Sequence, residues 1–202
     1  MKLTTRELVT LTVFGTLWGI VEMSLGTVLK SLNIPMSGVV LSAMGLTVVL
    51  IGRVFVPKRG STLYIGVIAM LLKLFSLGGV IIGPMVGILS EALIVEIILS
   101  IGGKPRRSLF ILAGAAGLLW PMIQPFLTGP LLFGQSLFVV WLNMIDTGSR
   151  IMGIDTGAVF VIVAILVVVH LAIGVAIGLL GWSLGQRLQI RLGRSPGMAV
   201  QS

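Results

Sequence analysis

Charge is scarce in this sequence. Asp, Glu, Lys and Arg together make up 10% of 202 residues, where a water-soluble domain carries roughly 25%. So few charges cannot coat a soluble surface of this size, so a water-soluble domain is excluded. Cysteine is absent, which removes disulfide frameworks and thiolate metal sites. There is one histidine, so no paired-histidine zinc motif exists. No phosphate-binding loop and no Gly-x-Ser-x-Gly elbow occur. The chain is accordingly expected to be neither an ATPase nor another enzyme, and to hold no cofactor or metal. Low-complexity stretches and internal repeats are missing too.

What is abundant is apolar. Hydrophobic residues reach 56% and the mean hydropathy is +1.16. About 20 apolar residues cross a bilayer as a helix, and the chain divides into six such runs. They fall at about 8–29, 38–55, 62–77, 82–101, 108–127 and 157–182. The breaks between them carry turn and breaker residues: Asn33 and Pro35, Pro57 and Gly60, Gly78 and Gly79, then Gly102, Gly103 and Pro105. Pro121 and Pro125 are expected to kink the far half of the fifth run. The basic start before the first run resembles a signal peptide, but no small-residue cleavage site follows. It reads as a retained helix. Between runs five and six, residues 128–156 place Leu137, Val140, Trp141, Met144 and Ile145 at helical spacing. An interfacial or partly inserted helix fits there. A seventh span is the competing reading, but Asp146, Arg150 and Asp155 leave it too short. The expectation is an all-α integral membrane protein, a single domain of six transmembrane helices, with 183–202 as a basic tail.

The net charge of +8 sits in clusters at the ends of apolar runs, not on one polar stripe. That pattern suits loops beside anionic lipid headgroups and argues against nucleic-acid binding. With the N-terminus inside, the inner loops and tail collect Lys2, Arg6, Arg53, Lys58, Arg59, Lys104, Arg106, Arg107, Arg187, Arg191 and Arg194. The outer side holds only Lys30 and Arg150. This alternation predicts both termini in the cytoplasm.

In lipid, helices associate through close packing of small residues. Gly15, Gly19 and Gly26 line one face of helix one; Gly38, Ser42, Gly45 and Gly52 line helix two. Gly174, Gly178, Gly181 and Gly185 line helix six. The plain reading is that these stripes let helices approach closely, which also identifies the inward faces. In helix three Gly66, Ala69 and Lys73 share a face, and in helix four Gly83 and Gly87 lead to Glu91, so Glu22, Lys73, Glu91 and His170 all fall on inward faces. Charge at membrane depth costs roughly 2.5–3.5 kcal/mol per residue on insertion scales. At 1.5 Å per residue, Lys73 lies about 17 Å up helix three, and Glu22 and Glu91 sit at similar depth. A buried ion-pair network would explain them, and so would a ligand site. Glu96, rotated about 140° from Glu91 at 100° per residue, is expected to play a different role. For His170, hydrogen-bonded structure is the simpler expectation. Trp120 and Gln124 share a face of helix five, and the outer segment adds Trp141, Asn143 and Asp146. Aromatic plates beside a few polar anchors suit a small organic ligand. The expected substrate-binding set is therefore Glu22, Lys73, Glu91, Trp120, Gln124, Trp141, Asn143 and Asp146.

Three stretches carry a resemblance: Ile34-Pro35-Met36-Ser37-Gly38, Val56-Pro57-Lys58-Arg59-Gly60, and Gly83-Pro84-Met85-Val86-Gly87-Ile88-Leu89-Ser90-Glu91. With the size and span count, they make the chain resemble the substrate-binding S components of energy-coupling factor (ECF) transporters. The last two stretches are similar to the branch for thiamine or its hydroxymethylpyrimidine precursor. The resemblance implies a prokaryotic cell-membrane subunit that captures a small vitamin-like molecule from outside. It also implies a membrane T component and two ATPase subunits as partners. In that family an Ala-x-x-x-Ala pair on helix one often packs on the T component, and Gly15 and Gly19 hold the matching positions. The alternative is a stand-alone membrane protein. As an ion-coupled carrier it would use Glu22, Glu91 and His170 as a proton relay; as a structural protein it would need only the ion pairs.

Overall fold

The computed structural model describes residues 3–32, 34–76, 81–103 and 105–193. Lys2, Asn33, Gly78, Gly79, Lys104 and the tail from Arg194 onward lie outside them, as does the Lys30 side chain. All regular structure among the described residues is helical. The seven helices are α1 (Thr5–Ser31), α2 (Ser37–Phe55), α3 (Ser61–Lys73), α4 (Ile82–Ile101), α5 (Arg107–Phe133), α6 (Leu137–Met152) and α7 (Val159–Arg191). α1, α2, α4, α5 and α7 are long and apolar enough to cross a membrane.

Three boundaries differ from the sequence expectation, each for a local reason. α3 stops at Lys73 rather than continuing to 77, leaving 13 residues. At 1.5 Å per residue that is about 20 Å, short of a hydrocarbon core of about 30 Å. α5 runs through Pro121, Pro125 and Pro130 to Phe133, where Gly134 takes φ +63°. That left-handed step, open to glycine without a Cβ clash, ends the helix instead of the prolines. α7 continues to Arg191, so residues 183–191 of the expected tail are helix. α6 occupies the segment expected to hold an interfacial helix. Ser136 caps it, its hydroxyl accepting from the Val139 N–H at 3.3 Å.

α1 begins in a capping box. The Glu7 N–H donates to the Thr4 hydroxyl at 3.3 Å, and the Thr4 N–H donates back to Glu7 Oε2 at 2.7 Å. Around the bundle the neighbours run α1, α3, α4, α5, α7, α2 and back to α1. α2 also touches α3, α4 and α5, while α6 touches only α5 and α7. α2 is thus the central helix and α6 a peripheral one. Lys58 pairs with Glu7 at 2.7 Å, and Gln189 donates to the Val54 carbonyl at 2.7 Å. The start of α1, the α2–α3 turn and the end of α7 therefore share one end of the bundle.

The glycine stripes are the contact lines. A Cβ on Gly178 would collide with the backbone of Phe110 and Ile111, and one on Gly114 with Gly174 and Gly178. α5 and α7 thus cross with their backbones touching, a distance only glycine allows. Val9, Val13, Leu17 and Ile20 form the opposite, exposed stripe of α1, an apolar face suited to lipid.

Candidate functional site

A cavity of about 390 Å³ opens between α1, α2, α4 and α5. Its walls are unusually poor in side-chain volume: Gly38, Gly83, Pro84, Gly87, Pro121, Pro125 and Gly129 all line it. Small residues that elsewhere bring helices together here face one another across space. Its polar groups are Glu22, Ser42, Glu91, Gln124, Thr128 and Gln135. A side chain on Gly87 would strike Gln124 Oε1, 2.7 Å from where its Cβ would stand, so glycine at 87 fixes where Gln124 lies.

Glu22, Lys73, Glu91 and His170 separate into distinct settings. Lys73 is buried and donates to the Glu22 backbone carbonyl at 2.6 Å, with Glu22 Oε2 at 3.5 Å. It therefore pairs with Glu22 and not with Glu91, and it does not line the cavity. Glu91, 4% exposed, accepts one hydrogen bond, from the Ser42 hydroxyl to Oε1 at 2.5 Å. No described residue donates to its Oε2. Gln124 is held by its amide donating to the Gly83 carbonyl at 2.7 Å.

A second cavity of about 330 Å³ adjoins the first and shares Gly38, Pro121, Pro125 and Gln135 with it. It lies between α2, α5, α6 and α7 and is mostly apolar, with Met36, Met122, Phe126 and Met144 among its walls. Gln135, Asn143, Thr147 and His170 are its polar points. His170 Nδ1 lies 2.7 Å from the Leu166 carbonyl. A carbonyl only accepts, so Nδ1 is the donor in this contact.

The remaining expected site residues stand apart. Trp120 lines neither cavity, and its indole N–H is buried without a partner. Trp141 packs against Phe126, ring centroids 6.4 Å apart, under α6 rather than over a cavity. Asp146 turns outward to Arg150, 2.9 Å away on the exposed face of α6. Gly15 and Gly19 are buried against Ile65, Ile68 and Leu72 of α3. Lacking a side chain, they let α3 approach, so this face is covered from within and is not an exposed docking surface.

Two residues gained a role that the sequence reading did not give them. Ser42 was visible only as a small member of the α2 stripe. Arg53 reads from the sequence as a loop charge, and its place inside the second apolar run is the signal that it is buried. Arg53 is 3% exposed and its Nη1 pairs with Glu96 Oε1 at 3.1 Å. Glu96 also receives the Gly60 and Thr62 N–H groups at 2.7 and 3.0 Å, and the Thr62 and Ser100 hydroxyls. A carboxylate on α4 thus caps the N-terminus of α3, which has no side-chain cap of its own. Among the described residues no group of three or more His, Asp or Glu could hold a metal.

The fold and site together define a helical bundle with five helices long enough to cross a membrane and two adjoining cavities, the first lined in part by carboxyl groups. No family model, curated protein or solved structure matches the chain.

Proposed function

We propose that this chain is a membrane-embedded substrate-binding subunit of the ECF S-component kind. It captures a small vitamin-like molecule from outside and hands it to a T component and two ATPase subunits for ATP-driven uptake. In this reading α3 is a sixth, short crossing, and the end carrying Glu7, Lys58 and Gln189 faces the cytoplasm. Arg6, Lys58, Arg59, Arg106, Arg107, Arg187 and Arg191 cluster in the segments at that end, as the positive-inside rule requires.

The observation that carries the reading is the cavity. Its volume of about 390 Å³ falls in the range of small-molecule sites, roughly 300–1,000 Å³. It holds a buried carboxylate with an open oxygen beside a fixed amide, which is what orients a ligand. A purely structural network would satisfy its own groups, as the Arg53–Glu96 network does.

The test is to extract the protein from its own membrane, release any bound molecule and identify it by mass spectrometry. One stoichiometric small molecule, taken up by vesicles only when ATPase subunits and ATP are present, is the expected result. A second reading has its own observation: Glu22, Glu91 and His170 line two adjoining cavities, as a proton-coupled carrier would need. Uptake that follows a proton gradient without any ATPase would replace the ECF mechanism with that one.

A further inference from the structure

We infer that the two adjoining cavities form one bipartite site, and that its ligand is an elongated molecule with a cationic or amidine-like donor head and an apolar body. The inference rests on the binding-subunit reading and adds the chemical class of what is bound.

The head is assigned by Glu91. Its side chain is almost wholly buried, and among the described residues only Ser42 donates to it. Of the buried cations, Lys73 is engaged by Glu22 through both the backbone carbonyl and the carboxylate, and Arg53 by Glu96. Glu91 Oε2 therefore faces a cavity with no described donor, in a setting where an unpaired charge is expensive. A ligand N–H donor, best a charged one, satisfies it. Gln124 adds an acceptor: its amide nitrogen is committed to Gly83, while Oε1 accepts from no described residue. A planar group with two N–H donors matches a carboxylate and an amide oxygen on one wall. Glu22 and Glu91 line the same space, which favours a donor head over an anionic one.

The body is assigned by the second cavity. Gly38, Pro121, Pro125 and Gln135 belong to both linings, so the chambers meet across a rim with little side-chain bulk. Beyond the rim the walls are mainly thioether and aliphatic side chains with Phe126, and Asn143, Thr147 and His170 are isolated polar points among them. Methionine-rich walls accept apolar shapes by adjusting rotamers. A ligand filling only the first chamber would leave this surface unused.

The experiment measures equilibrium binding to the full chain in lipid nanodiscs, using three probes: benzamidine, 4-phenylbenzamidine and biphenyl-4-carboxylate. The expected result is that 4-phenylbenzamidine binds at least tenfold more tightly than benzamidine, because a second ring is buried. The carboxylate should show no saturable binding. Glu91→Gln should weaken both amidines by tenfold or more. Met144→Trp, which narrows the second chamber, should erase the advantage of the longer amidine over benzamidine. Thermal unfolding of both variants near the parent temperature keeps these losses from being loss of fold. Equal affinity for the two amidines would overturn the bipartite site. Binding that is indifferent to Glu91→Gln, or no saturable amidine binding at all, would overturn the cationic head. Either failure is separable from the broader reading, because a native ligand of another class released from the purified protein would keep the binding subunit and discard this substrate class.

Discussion

Glu91 and Glu96 lie five residues apart on the same helix, both buried, and the protein treats them in opposite ways. Glu96 accepts from two backbone N–H groups and two hydroxyls and faces Arg53. Glu91 accepts from one hydroxyl and otherwise faces a cavity. The difference separates a lock from a site. At the Glu96 end, α2, α3 and α4 are tied together with every carboxylate lone pair in use. At the Glu91 end, glycine and proline walls leave space and one carboxylate oxygen has no partner among the described residues. A buried charge alone does not distinguish the two roles; its degree of saturation does.

The sharpest way to break this contrast is to remove the lock. Glu96→Ala leaves the Arg53 guanidinium buried without its carboxylate and uncaps α3. Breaking a buried pair in this manner costs about 3–5 kcal/mol. Unfolding in lipid or mild detergent should show a loss of that size, or no folded protein should accumulate. A loss below about 1 kcal/mol would mean that the Glu96 network does not hold the bundle together.

Lys73→Met comes next. It removes the donor from the Glu22 carbonyl and carboxylate, and hydrogen bonds to charged groups are worth about 1.5–3 kcal/mol. Adding Glu22→Gln should recover part of that loss, because the carboxylate left behind is then neutral. A double-mutant cycle measures the coupling directly. Additive effects would show that the two side chains, 3.5 Å apart, do not stabilise each other.

Much of this contrast was legible in the sequence, and the legible part was periodic. Glycine spacing gave each helix its inner face, because close approach leaves a repeat of about four residues in the chain. Glu22, Glu91 and Gln124 could therefore be grouped from spacing and depth, and they line one cavity. Partners across helices were not legible, since spacing says nothing about which neighbour a face meets. Lys73 could equally have met Glu22 or Glu91 until the α1–α3 contact was known. The same gap misplaced Gly15 and Gly19, whose stripe meets α3. Trp141 and Asp146 were grouped with the site by proximity along the chain. The rotation of α6 instead sends Asp146 outward to Arg150 and Trp141 onto Phe126. Breaker rules failed at α5, where prolines set four and five apart sit inside a continuing helix. Neighbouring helices can tolerate such prolines in a membrane bundle.

At the site end the comparison predicts small effects on folding. Ser42→Ala removes the one hydrogen bond Glu91 accepts, a change of about 1 kcal/mol. It should weaken amidine binding less than Glu91→Gln does, because the carboxylate remains while its orientation loosens.

Glu91→Gln should have the smallest effect on stability. Glutamine keeps an oxygen for Ser42 and turns its amide toward the cavity, where water can meet it. The folding change should stay within about 1 kcal/mol, several-fold below that of Glu96→Ala on the same helix. Unfolding the two variants side by side, under identical lipid and salt, reads the contrast directly. Should Glu91→Gln prove as damaging as Glu96→Ala, the carboxylate at 91 would be a second lock, and the space beside it would lose its claim to be a site.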